Sequence, residues 1–418
     1  MRYAETVRMV GRTMAKAAVG GAAPREIRGA GHGKAPTIPT QFPAKPSLFS
    51  ECLWTLLAGL LTSVLGALFM MLLWQPFWMD DFQEQFMPCL VDVHRALGEG
   101  SFPLISTCSW QGAQLGGEYL FGIFSVFNLG VLQLVFSLGM SLRNTAAAIV
   151  LIYLAVCGAG AFRVGRAMAL TRPNALVPAF AAALNGWMLA WGVRAWVSFL
   201  IPCAWLGWAW WGLLIAARPR YGVWRFLPAG LFLYLLFAGA HPHVDLMIAL
   251  VTAWLVLGRL FAGQRLGKIW RLARRGTYGL SLRLAAGRTV VARLWPVAAA
   301  WALGLSLASP AIAMLMETIA TTVRAHHDLP GRDLSAWSVP LWAFFGLAVS
   351  AFQARWPTWS GMGLRSCFDV YNGFVPAVAL LAILVRSGRG FLRRHGWEMV
   401  LLLAVGFLCC RGYFGNFR

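Results

Sequence analysis

Acidic residues are scarce in this chain. Only 15 of its 418 residues are Asp or Glu, and charged residues of both signs make up 12%. Soluble globular domains carry about 25%, so a surface wet on all sides is excluded. No GxGxxG turn, no P-loop and no Ser-His-Asp arrangement appears, which leaves nucleotide cradling and triad hydrolysis without a sequence basis. Cysteine is sparse and unpatterned. None of the eight stands in a CxxC pair or at metal-ligand spacing, and most lie in or beside apolar runs, where a thiol behaves as a small hydrophobe. Cys89 and Cys108 share one polar segment, and a disulfide between them is the minority alternative. Internal repeats are also missing.

Apolar length is what the chain does have. Hydrophobic residues make up 59%, with 21 Trp. Several uncharged runs reach the roughly 20 residues a helix needs to cross a bilayer, where lipid offers backbone N–H and C=O groups no partner. The first is 53–79. A net charge of +21 has two readings, a nucleic-acid surface or the positive-inside bias of membrane proteins. The basic residues fall in short clusters between apolar runs, as at Arg163, Arg166 and Arg172, then Arg218, Arg220 and Arg225. A nucleic-acid binder needs one continuous basic face, and alternating loops favour the membrane. No nucleic-acid partner is expected.

Residues 1–50 read as a basic cytoplasmic tail, disordered and without the apolar segment and cleavage site of a signal peptide. The membrane domain is 51–418. Its first external loop, 75–142, opens with Asp80, Asp81, Glu84, Asp92, Glu99 and Glu118 against a single Arg95. The run 119–142 is long enough to span, yet holds several Gly and Phe with Asn128 at its middle. Charge decides. If it only dips into the membrane, 27 of the 36 Lys and Arg fall inside; if it crosses, 16 do. The dip is preferred. Further spans follow at 143–162, 173–193, 197–217, 222–240, 245–262, 294–316, 369–386 and 397–410, nine with the first, and 334–354 is a candidate tenth. The basic stretch 265–293 reads as a cytoplasmic loop. Within 75–142, Phe86, Leu90, Val93 and Leu97 recur three or four apart with Asp92 and Arg95 on another face, which predicts a short helix lying on the membrane surface. The fold class is an all-α polytopic membrane protein.

Carboxylates gather at three places on the outer side. In WMDDFQEQFMPCL, adjacent Asp80 and Asp81 repel, so one is disposed to accept a proton, as a general base must. A short helix puts Glu84 on their face; the plainer reading is a solvated acidic loop. In HPHVD, the alternation of His241, His243 and Asp245 suits a divalent metal on an extended turn, although a helix-breaking Pro with interfacial histidines is preferred and no cofactor is assigned. In METIATTVRAHHD, Glu317 and Arg324 are seven apart and share a face of a continuing helix. Arg324 is suited either to a phosphate or to an ion pair with Glu317.

These segments resemble a known family. A first helix, a long acidic loop with an Asp pair and many later helices resemble the GT-C class of membrane glycosyltransferases. MDDFQEQFMPCLVDVHRALGEGSFPL and WQGAQLGGEYLFGIFS are similar to the YfhO-type bacterial membrane proteins, through Asp81, Gln85, Pro88, Gly100, Pro103 and the pair Glu118-Tyr119. AGAHPH and SPAIAMLMETIATTVR extend the likeness over most of 75–330. The resemblance implies a GT-C-like bundle in a bacterial inner membrane with the N-terminus cytoplasmic. It implies a sugar transferred from a polyprenyl-phosphate donor to an envelope glycan or lipid acceptor at the outer face. Asp80 or Asp81 would be the base, Arg324 the partner of the lipid phosphate, and Glu84, His241, His243, Asp245 and Glu317 would line the substrate site. The family continues through further helices and an external domain, so an inactive fragment is one alternative. A non-enzymatic transporter or flippase-type protein is the other.

Topology is the testable consequence. A cysteine at position 92 should react with an impermeant thiol reagent added outside intact cells, and protection there overturns the inside–outside assignment.

Overall fold

The computed structural model describes residues 47–72, 77–79, 81–106, 115–116, 121–186, 188–218, 222–239, 242–261 and 294–321. Among the described residues the chain is helical, with no β-strand. Helix α1 is Leu48–Leu72, and a wide turn at Phe82–Phe86 leads into α2, Met87–Gly98. Then come α3 (Val126–Ser137), α4 (Leu142–Ala167), α5 (Arg172–Ala183), α6 (Val197–Ala216) and α7 (Phe226–Ala238). Helix α8 is Pro242–Phe261, α9 is Leu294–Leu307 and α10 is Ser309–Thr321.

Three of these, α1, α4 and α6, are long and apolar enough to cross a membrane, or four spans if the bent pair α9 and α10 counts as one. At 1.5 Å per residue the 26-residue α4 is about 39 Å long, more than the roughly 30 Å hydrocarbon core. The expected span at 222–240 is an apolar helix of shorter reach, Val223–Ala238, while that at 245–262 falls within the 20-residue α8, whose apolar stretch includes Met247–Val256. The expected spans 334–354, 369–386 and 397–410, the loop 265–293 and residues 1–46 of the expected tail 1–50 lie outside the described residues, while 48–50 of that tail are already part of α1.

Two expected spans are broken. The run 173–193 is helical only to Ala183 and re-forms as a wide turn at Met188–Gly192. Asn185 stabilises the break: its side-chain oxygen accepts from the Met188 N–H at 2.9 Å and its Nδ2 donates to the Ala182 carbonyl at 3.0 Å. An amide that satisfies the helix end in this way competes with helix continuation, and sequence hydropathy is blind to it. The run 294–316 bends by 61° between α9 and α10. Pro310, which has no backbone N–H to donate, follows the bend directly.

Helix α4 is the centre of the bundle. It runs antiparallel to α1 and parallel to α6, and both approaches are made by small residues. A Cβ on Gly59 would sit 2.8 Å from the Ala155 carbonyl oxygen, and one on Gly207 would sit 2.7 Å from the Ala161 nitrogen. Thr62 lies in the α1 contact and donates to its own helix at the Gly59 carbonyl, 2.7 Å, so its hydroxyl is satisfied without water. Ser63 donates across to the Leu151 carbonyl at 2.9 Å and Trp208 to the Val156 carbonyl at 2.9 Å. Close backbones held by dispersion and by inter-helix hydrogen bonds suit helices that gain little from apolar burial in lipid.

The segment 119–142 does not form a spanning helix. Its helical part, α3, has 12 residues and measures about 18 Å, short of a bilayer. Asn128 sets its start. The Nδ2 donates to the Phe121 and Gly122 carbonyls at 2.9 and 3.1 Å, and Oδ1 accepts from the Tyr153 hydroxyl of α4 at 2.7 Å. Ser125 caps the helix by accepting from the Asn128 N–H. Gly122 takes φ +60, and a Cβ there would meet Gly239 at 3.1 Å, so both its torsion and its neighbour exclude other residues.

Helix α2 forms where the apolar spacing places it, with Leu90 and Val93 buried, Leu97 partly buried and Phe86 buried in the turn just before it. The expected solvent position of Asp92 is wrong. Asp92 is 3% exposed, because residues 101–106 fold back over it: Ser106 Oγ hydrogen-bonds its carboxylate and Arg95 Nη2 meets it at 3.0 Å. Cys89 is likewise buried in the core, and Cys108 lies outside the described residues.

Two expectations follow. A label at position 92 meets a buried site, so a cysteine at the exposed Glu99 is the position that reports the side of the membrane. Tyr153→Phe removes the donor to the buried Asn128 Oδ1 and should cost about 1–3 kcal/mol. It should lower the thermal unfolding midpoint of the detergent-solubilised protein; an unchanged midpoint would show that this bond does not hold α3 to α4.

Candidate functional site

The first loop, the second half of α7 and the first part of α10 meet at one end of the bundle. Phe124 of the first loop packs on Ala311 and Leu315 of α10, and a Cβ on Gly116 would meet the Met314 side chain at 2.8 Å. The same loop is tied to the end of α7, where Tyr234 donates to the Phe124 carbonyl at 2.7 Å and accepts from the Val126 N–H at 3.2 Å. Gly239, which meets Gly122, stands three residues before the start of α8. Loop, α7–α8 turn and α10 therefore meet although they are far apart in sequence.

Individual residues are less uniform. Asp81 is half-buried at the head of the wide turn. Its two oxygens accept from Trp196 Nε1 at 2.9 Å and Gln85 Nε2 at 3.0 Å. A carboxylate oxygen has two acceptor sites, so each still has capacity for a substrate proton. Glu84 is exposed, as is Glu317 on α10, and Asp245 is half-buried on α8. Asp80, His241 and Arg324 lie outside the described residues, and with them any pairing of Arg324 with Glu317.

The reading of HPHVD as an extended turn is corrected. Helix α8 begins at Pro242, which needs no hydrogen bond at a first helical position. His243 and Asp245 are then two residues apart on a helix, roughly 200° around its axis. On that backbone, alternation no longer places His243 and Asp245 on one side, and His241 and the His243 side chain lie outside what is described.

The structure adds Arg194 and Trp196. Both follow the break in α5, in a turn that leads to α6. The Arg194 carbonyl accepts from the Met79 N–H at 3.1 Å, which fixes this turn against the segment that carries Asp81. The Arg194 side chain lies against the Met79 sulfur, and its Nε is buried without a hydrogen-bond partner. Burial pushes the Arg194 guanidinium below its ordinary value, although an arginine stays charged at neutral pH. Sequence held a partial signal, since Arg194 is one of few basic residues on the acidic side. Its approach to Met79 had none, because it depends on where α5 breaks.

No protein-family model, curated protein or solved structure matches the chain. The site therefore stands on its own chemistry: an oriented carboxylate acceptor, an indole donor and a partly dehydrated guanidinium on two adjoining turns.

Proposed function

We propose that the chain is a GT-C-type membrane glycosyltransferase, acting at the acidic end of the bundle on a polyprenyl-phosphate-linked sugar. The observation that carries this reading is the adjoining pair of turns in which Asp81 is held by Trp196 and Gln85 while Arg194 has a buried, unpartnered N–H. In the proposed reaction Asp81 accepts the proton of an acceptor hydroxyl. The acceptor oxygen forms the new bond to the anomeric carbon, and the carbon–phosphate oxygen bond breaks with its electron pair staying on the phosphate. A guanidinium at that departing anion stabilises charge that grows only as the bond breaks. Arg194 fits this role by position, and Arg324 is the second candidate. The full assembly in this reading has nine or ten spans in a bacterial inner membrane, with the first loop outside.

A transporter is the second reading. It draws on the interrupted run at 184–192 and the 61° bend after Leu307, since discontinuous helices with exposed ends are a common way to hold substrate in transporters.

Sugar transfer by membranes containing the full chain tests the choice. With a polyprenyl-phosphate sugar donor, Asp81→Asn should reduce transfer by roughly 100-fold or more. Arg194→Ala should reduce it while the protein still accumulates. If Asp80→Asn and Asp81→Asn both keep full activity, the base assignment is wrong. If the unaltered chain transfers nothing from such donors, the transporter or fragment reading replaces it.

A further inference from the structure

The opposite end of the bundle carries a second charged group, built around the turn from α4 to α5. Glu51, in the first turn of α1, is a half-buried carboxylate that Arg166 grips with two nitrogens at 2.8 and 3.2 Å. Arg172 Nε reaches the same carboxylate at 3.4 Å, and Arg163 Nη1 stands 4.0 Å from it. Arg218, at the end of α6, hydrogen-bonds the Ala167 carbonyl of that turn. Among the described residues, Arg166, Arg172 and Arg218 thus bring three positive charges to one negative charge, a local excess of two even before Arg163 is counted.

Such an excess is costly where water is thin unless an anion joins it. The surroundings indicate which kind. Along α1, on the side that adjoins Trp54, Leu57, Val64 and Leu68 are 38%, 46% and 47% exposed. They belong to a helix long enough to span, with only a third of its apolar window buried, against two thirds for α4 and α6. Arg172 lies over the Trp54 ring at 6.0 Å and Arg163 over the Trp211 ring at 4.4 Å. Indoles belong at the headgroup level of a bilayer. An anion that meets the arginines and also covers the apolar stripe beside Trp54 needs a phosphate and an acyl chain on one molecule.

We infer that this cluster is a binding site for the phosphate group of an anionic phospholipid, whose chains lie along the exposed stripe of α1 beside Trp54. The inference requires only that the chain sits in a membrane, and it is independent of the glycosyltransferase reading. The arginines hold the phosphodiester, Glu51 fixes Arg166 and the α1–α4 contact, and the lipid completes the charge balance. Basic pockets between helix ends take anionic headgroups in this way.

The test uses the full chain in nanodiscs and reads how strongly it retains phosphatidylglycerol against phosphatidylcholine. Enrichment of phosphatidylglycerol around the protein should fall about fivefold for Arg172→Gln and by a similar factor for Arg218→Gln. Both changes leave the Glu51–Arg166 pair in place. Glu51→Gln gives the opposite sign: it removes the internal anion, so any folded protein should keep or increase its preference. Inorganic phosphate at millimolar concentration should not displace the lipid; displacement would mean the site takes free phosphate and the lipid assignment is wrong. Equal retention of the two lipids by the unaltered chain, or an unchanged preference in both Arg variants, overturns the inference.

Discussion

The close approach of α4 to its neighbours is the constraint on which the other features depend. A helix in lipid gains little from burying apolar area against another helix, so association rests on dispersion, hydrogen bonds and tight geometry. Helix α4 meets this with Gly158, Gly160 and Gly165 where Thr62, Trp208 and Pro178 press against it. Those three contacts place α1, α6 and α5 around one axis. Once they are placed, the turns at each end have little freedom, and the polar groups that meet there do so as a consequence.

The ends differ in charge, and the difference is consistent with the direction of every packed helix. The basic turn 163–172 lies at the C-terminal end of α4 with Glu51 and Arg218, while Asp81, Asp92 and Asp245 belong to elements at the other end. Glu51 is the exception that clarifies the rule. An acid on the basic side is tolerated because guanidinium groups enclose it, and its loss would leave them to repel one another. Asp92 is the matching case on the acidic side, where Arg95 and the Ser106 hydroxyl satisfy a buried carboxylate that would otherwise be costly.

Helices were legible in the sequence wherever apolar length was the whole signal, as in α1, α4 and α6. Periodicity also gave α2 and its buried face. What escaped is what depends on one polar side chain meeting a distant backbone. Asn128 stood out as an oddity in an apolar run, but its partners Tyr153, Phe121 and Gly122 come together only in the fold. Asn185 hid a helix end inside a run that reads as continuous. At HPHVD the break between two helices is legible from the proline, whereas the fact that Pro242 opens the second helix is not. The site was legible in part. Asp81 was named from its acidic context, whereas its indole donor Trp196 lies 115 positions away and bears no charge to mark it.

That separation explains why the break in α5 matters for chemistry as well as for shape. Had 173–193 continued as one straight helix, residues 194–196 would have left the bundle in a different direction. The wide turn at 188–192 redirects the chain, so that the Arg194 carbonyl meets Met79 and the Trp196 indole meets Asp81. Two donors then define the orientation of a carboxylate that would otherwise rotate freely in a polar loop, and orientation is what separates a general base from a solvated acid. The same turn holds a guanidinium against a thioether, with its Nε buried and without a hydrogen-bond partner. A carboxylate with spare acceptor capacity and a guanidinium with an unpartnered N–H, on adjoining turns, are an arrangement that a substrate with a hydroxyl and a phosphate would complete, and the helix break is what builds it.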